Sequence, residues 1–156
     1  MKWLLIPLTA ALFAMGASNP QLAEIHSVYL LPMSGSLDQF LAVRLNASKI
    51  FLVVTDPKKA DAVFTERIGP NFEDALKELY ASDSKDAKDA KDKKDDYARP
   101  TMKPLSNGKG SLFLVDRKSK NVVWSTYDKP KSNRADDENQ LAQRIVSKLE
   151  KDLKGK

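Results

Sequence analysis

No cysteine occurs among the 156 residues, and that absence removes several chemistries at once. The chain has no disulfide framework, no thiol nucleophile and no attachment point for the diacylglyceryl group of a bacterial lipoprotein. There is one histidine, His26. A histidine or cysteine metal cluster is therefore excluded, and any serine triad must use this single base. The phosphate-loop pattern ending in Gly-Lys-Ser/Thr is missing, and so is a carbonyl-rich calcium loop. An excess of charge of one sign is small, with 26 basic against 21 acidic residues. Such a balance favours solubility and weak attraction to anionic surfaces, not a nucleic-acid footprint. Long hydrophobic runs are absent too: the apolar stretch from Trp3 to Phe13 is well short of the roughly 20 residues that a membrane-spanning helix needs.

What that stretch does have is the form of a leader. Lys2 precedes the apolar run, and Ala14, Gly16, Ala17 and Ser18 follow it. Residues 1–19 read as a secretory signal peptide, cleaved just after Gly16 or Ala17. The mature chain is then exported, periplasmic or secreted, with no transmembrane segment. Without Lys2, 25 basic residues face 21 acidic ones, a net charge of +4. Lacking disulfides, this exported domain has to be stable through its core alone.

The strongest core signal is Ile50 to Ile68, IFLVVTDPKKADAVFTERI. Ile50 to Val54 are all apolar without alternation, which predicts a strand covered on both faces in the middle of a sheet. Asp56 and Pro57 end it, and a second strand is expected over Ala62 to Ile68, with Glu66 and Arg67 marking its exit toward a rim. Upstream, Ser27 to Leu31 reads as a strand closed by Pro32. Ser36 is then placed to cap a helix in which Leu37, Phe40, Leu41 and Leu45 recur at helical spacing. Downstream, Gly69 and Pro70 break the chain, and Phe72, Leu76, Leu79 and Tyr80 mark a second amphipathic helix.

From Ser82 the pattern changes. Lys and Asp recur in SKD, AKD, AKD and KKDD, a period of three that walks around a helix of 3.6 residues per turn and builds no buried face. A flexible, solvated insertion is expected there. Ser111 to Val115 resumes as an apolar strand, Asp116 to Asn121 as a hairpin loop and Val122 to Tyr127 as its partner, with Val122, Trp124 and Thr126 on one face. Leu141, Ile145, Leu149 and Leu153 then stack at intervals of four in a closing helix whose end is crowded with lysines.

The expected fold is α/β: a single mixed β-sheet of about five strands packed with three helices, in the order β-α-β-β-α-(disordered insertion)-β-β-α. The signal peptide at 1–19 precedes one domain, whose first part is 20–81; the Lys/Asp-rich insertion is 82–109, and 110–156 is the remainder of the domain. The segments VYLLPM, FLVVTD, Ala60-Asp61 leading into AVFTERI, the hairpin LFLVDRKSKNVVWST and the helix LAQRIVSKLEKDL resemble the periplasmic α/β domain shared by the curli secretion protein CsgG, the activator LpoB and the N-terminal domain of TolB. The lipidation cysteine of the first two is absent, and no propeller follows. The resemblance implies a fold and an envelope location, and no catalytic residue.

The resulting expectation is a non-enzymatic accessory domain of the bacterial cell envelope that docks a protein partner, through a sheet edge or a face carrying Trp124 and Tyr127. No cofactor is implied. The competing reading is a small envelope hydrolase using Ser34 or Ser36 with His26. Asp56, Asp61, Glu66 and Asp116 could supply carboxylates, but no spacing in the chain brings two of them together.

Overall fold

A computed structural model of the protein describes residues 19–81 and 109–155. The leader up to residue 18 and the Lys/Asp-rich stretch 82–108 lie outside the described residues. In order, the elements are α1 (Pro20–Ala23), β1 (Ser27–Leu30), α2 (Leu37–Ser48), β2 (Leu52–Val53), β3 (Ala62–Thr65), α3 (Pro70–Tyr80), β4 (Ser111–Asp116), β5 (Val122–Tyr127) and α4 (Ala135–Lys154). Short 3-10 turns occupy Ser34–Ser36 and Pro57–Lys59. The strands form one mixed five-stranded sheet in the order β2-β1-β3-β4-β5. β1 pairs in parallel with β2 and β3, while β4 is antiparallel to both β3 and β5. This is the α/β class expected from the sequence, with the short helix α1 added ahead of β1.

Two cores result, one on each side of the sheet. On one face, Val28, Ala62, Phe64, Leu112, Leu114 and Trp124 meet Leu37, Leu41 and Leu45 of α2 and the stripe Leu141, Ile145 and Leu149 of α4. Burying this stripe is what stabilises α4, because a helix of that length is marginal by itself in water. Arg44 of α2 donates to the Asn139 side-chain oxygen of α4 at 2.9 and 3.1 Å, joining the two helices above the core. On the other face a smaller cluster gathers Leu31, Val63 and Val115 under Phe72 and Leu76 of α3. Leu22 and Ile25 from the α1 region fill the end of the larger core. Asn19, the last residue of the expected leader, caps α1 through Gln21 N–H and donates to the Val123 carbonyl at 2.7 Å, so it is a structural residue of the fold.

Five local expectations need correction. The Ile50–Val54 run is not the central strand: β2 spans only two residues at the sheet's edge, and Leu52 is 66% exposed. The apolar content of the run is used elsewhere, since Phe51 leaves the strand line to pack in the core with its ring 6.5 Å from that of Phe64. The fully covered strand is β3, buried at all four residues and ending at Thr65 rather than Ile68. Glu66 does not lead to an exposed rim; it is itself buried.

At the start of α2, Ser36 adopts a left-handed backbone conformation at φ 60° and makes no side-chain cap. Asp38 reaches back instead to accept the Met33 N–H at 3.2 Å. In the hairpin, an irregularity at Leu114/Val115 pairs Leu114 with Trp124 but Val115 with Val122. The bulge places one extra residue, Val123, between those partners. Val122 is consequently turned toward the α3 side, away from the face that Trp124 and Thr126 share.

Candidate functional site

Trp124 and Tyr127, the two candidate partner-binding residues, are separated by the sheet. Trp124 is buried against α4, where its indole N–H donates to the Asp152 carboxylate at 2.8 Å. Its neighbour on that face, Thr126, accepts from Lys148 at 2.8 Å. Trp124 is a core anchor. Tyr127, an odd number of residues further along the strand, points to the opposite face and is 67% exposed.

The face to which Tyr127 belongs is the less covered one. α3 is a single helix of 11 residues packed on Leu31, Val63 and Val115, and β5 contributes no residue to the cluster beneath it. Between α3 and the hairpin runs an apolar groove of about 840 Å³, lined among others by Ile68, Phe72, Leu76, Tyr80, Val115 and Val122. Phe72 and Leu76 form its floor and are buried, whereas Ile68 and Val122 on the rims are 46% and 42% exposed. A small ligand that binds well has roughly 70–90% of its surface buried. This trough, open between two half-exposed rims, is shaped for a chain segment laid along it.

One end of the groove is basic. The Arg117 guanidinium lies 4.9 Å from the centroid of the Tyr80 ring, and the Lys120 ammonium 5.3 Å from the same centroid. Two cations thus share one aromatic ring at the C-terminal end of α3. Arg117 also donates to the Lys58 carbonyl, which holds the hairpin loop against the Pro57–Lys59 turn. Glu73, at the other end of the helix, is the one carboxylate among the described residues that line the groove.

The residues of a serine hydrolase are not brought together. His26 precedes β1 and Ser34 follows it, so the intervening extended chain alone separates them by roughly 15 Å. The His26 ring contacts the Glu24 carbonyl at 2.7 Å. Ser34 gives its hydroxyl to Glu66 at 2.7 Å and its backbone N–H to the same carboxylate at 2.9 Å. Ser36 is exposed and caps nothing.

Glu66 has a neighbour that the sequence did not single out. Glu138 of α4 is buried and pressed onto the Ser34–Ser36 turn, where a Cβ on Gly35 would stand 2.4 Å from its Oε1. Glycine suits the position both for that close approach and for its φ of +64°. Burial raises the Glu138 carboxyl above its ordinary value, and the charges of Glu66 and Asp137 add to this against a weaker opposing effect of Lys109. The pair lies at the C-terminal ends of β1 and β3, and neither carboxylate lines the α3 groove.

At the opposite end of the sheet Asp61 accepts from the His26 N–H at 3.1 Å, the Ser27 N–H at 2.9 Å and the Ser27 hydroxyl at 2.9 Å. Burial opposes ionisation there, yet these hydrogen bonds prevail and hold the carboxyl below its usual range. Asp116 is lowered in the same way, burial being outweighed by hydrogen bonds from Ser119 and Lys118. Asp56 accepts the Lys58 N–H and starts the Pro57–Lys59 turn. Each of these carboxylates organises a turn or strand. No group of three or more His, Cys, Asp or Glu among the described residues could hold a metal ion, and no helix among them is long and apolar enough to cross a membrane.

No family model, curated protein or solved structure matches the chain.

Proposed function

We propose that this protein is an exported, non-enzymatic interaction domain of the bacterial cell envelope, similar in kind to the periplasmic domains of the CsgG, LpoB and TolB type, and that it docks a segment of an envelope protein along the α3 face of its sheet. The observation that carries the reading is the uneven cover of the two sheet faces. One face is closed by α2 and α4 together, while the other leaves the apolar groove beside α3 with Ile68, Val122 and Tyr127 exposed. Apolar side chains gathered along one trough and rimmed by charge are characteristic of a binding surface. The chain's other polar clusters serve the fold: Ser34 and Glu66 fix a turn, and Asp61 joins two strands. Export follows from the Lys2 to Ser18 leader pattern, and N-terminal sequencing of the secreted material should begin near Ala17 or Ser18.

A photo-crosslinking residue placed at Val122 or Ile68 in the native envelope should give the same discrete adduct, and one at Gln143 on the outer side of α4 should not. Ile68→Asp should abolish the Val122 adduct without unfolding the domain. Equal labelling from all three positions, or none from Val122, would remove the α3 face as the docking surface.

A further inference from the structure

Resting on that docking reading, we infer that the segment accepted by the groove carries carboxylates at the end that meets Tyr80, following apolar anchors that lie against Phe72 and Leu76. The groove is asymmetric in charge along its length. Lys120 lines its Tyr80 end, Arg117 lies against the Tyr80 ring there, and no carboxylate among the described residues forms an ion pair with either. Lys77 adds a third cation on the helix edge, already engaged by Asp74 at 3.2 Å. The opposite end has Glu73 and the apolar Ile68.

The Tyr80 ring presents its negative face to each cation and so favours a positive charge at this end of the groove. A carboxylate reaching the Lys120 ammonium would make a charge-assisted hydrogen bond. An apolar end without charge would leave Lys120 partly desolvated with no counter-charge, and a basic one would be repelled. From Phe72 to Tyr80 the helix advances about 12 Å, enough for roughly two turns of a docked helix or four extended residues. The recognised pattern is therefore short: aliphatic or aromatic anchors followed by Asp or Glu.

Selection of a random displayed peptide library on the purified protein tests this. Enriched peptides should join apolar anchors to Asp or Glu, and synthetic copies should lose binding to Val122→Asp. Lys120→Glu should weaken them about tenfold or more, and exchanging the peptide's acids for lysine should restore affinity toward that variant. Lys118→Glu, on the same loop but not over Tyr80, should have little effect. Apolar peptides without acidic bias, lost in Val122→Asp but indifferent to Lys120→Glu, would overturn the charge assignment and leave the docking face intact. No enrichment, or enriched peptides that still bind both Val122→Asp and Ile68→Asp, would overturn the docking face and this inference with it. Val122 and Ile68 are 42% and 46% exposed, so both variants should fold, which circular dichroism verifies.

Discussion

Replacing Ile145 by alanine measures how firmly α4 closes the larger core. Ile145 is 2% exposed and stands in the middle of the stripe that meets α2 and the sheet. Truncating a buried isoleucine removes its transfer free energy and leaves a cavity, together costing about 2–5 kcal/mol. The described residues number about 110, and unfolding entropy near 60 °C is roughly 2.1 cal/mol/K per residue, or about 0.23 kcal/mol/K for the domain. A loss of about 3 kcal/mol should therefore lower Tm by about 13 °C, with about 9–22 °C spanning the range. Val43→Ala supplies the comparison. Val43 is apolar and helical but 65% exposed on α2, so its truncation should shift Tm by only about 2 °C. Both are read by calorimetry or by circular dichroism at the helix band, and aspartate is avoided at Ile145 because an unfolded variant would report no magnitude. A fall of less than about 4 °C in Ile145→Ala, with the native spectrum retained, would refute the packing of this stripe into the core.

Gly35→Ala should destabilise by about 1–2 kcal/mol from its left-handed backbone alone, and more from the clash with Glu138; Glu138→Ala in the same chain should recover the second part, as denaturant unfolding of the double variant would show. The Glu138 carboxyl has a raised value in the folded state, so its stabilising contribution is present below the unfolded value near about 4.3 and is lost as pH rises through the folded one. Glu138→Gln should accordingly gain on the wild type between acid and neutral pH, and a constant difference across that range would contradict the assignment. Asp61 behaves in the opposite sense: its value is lowered, so its contribution is present above about 3.9 and lost as pH falls through the folded value. Asp61→Asn should be less stable than the wild type at neutral pH, and urea titrations should show that deficit shrinking in acid.

The parts of the fold legible in the sequence are those whose signal is local. α4 announces itself through Leu141, Ile145 and Leu149 at one helical interval, and α3 through the Gly69-Pro70 break followed by Phe72 and Leu76. The β4–β5 hairpin shows as two apolar runs about a polar loop. What was hidden depends on neighbours distant along the chain. An apolar run such as Ile50 to Val54 indicates burial without saying by what, and here Phe51 is covered by the core below an edge strand while Leu52 faces outward. The bulge that turns Val122 away from Trp124 breaks the alternation without a glycine or proline to mark it. Glu66, Ser34 and Glu138 meet only because β1, β3 and α4 converge, and charged residues in those positions look like ordinary solvated ones. The groove was illegible for the same reason, since Phe72, Val115 and Val122 come from three separate elements.

The clasp of Asp61 on Ser27 has a consequence for how the sheet finds its alignment. A strand with one wet face resists slipping, because a shift of one residue would turn its apolar side chains into water. β3 has no wet face: Ala62, Val63, Phe64 and Thr65 are all buried, so a slipped strand would still offer one hydrophobic row to each layer. Nor does β2 help, with only two paired residues beside β1. The clasp supplies the missing reference point, because Asp61 can accept from the N–H groups of both His26 and Ser27 only when Val28 stands opposite Ala62. A misaligned pairing would forfeit these charge-assisted hydrogen bonds. Asp61 thus acts as the ruler of the parallel pair, and its loss would show first as several coexisting alignments and a slower, multiphasic return from the unfolded state.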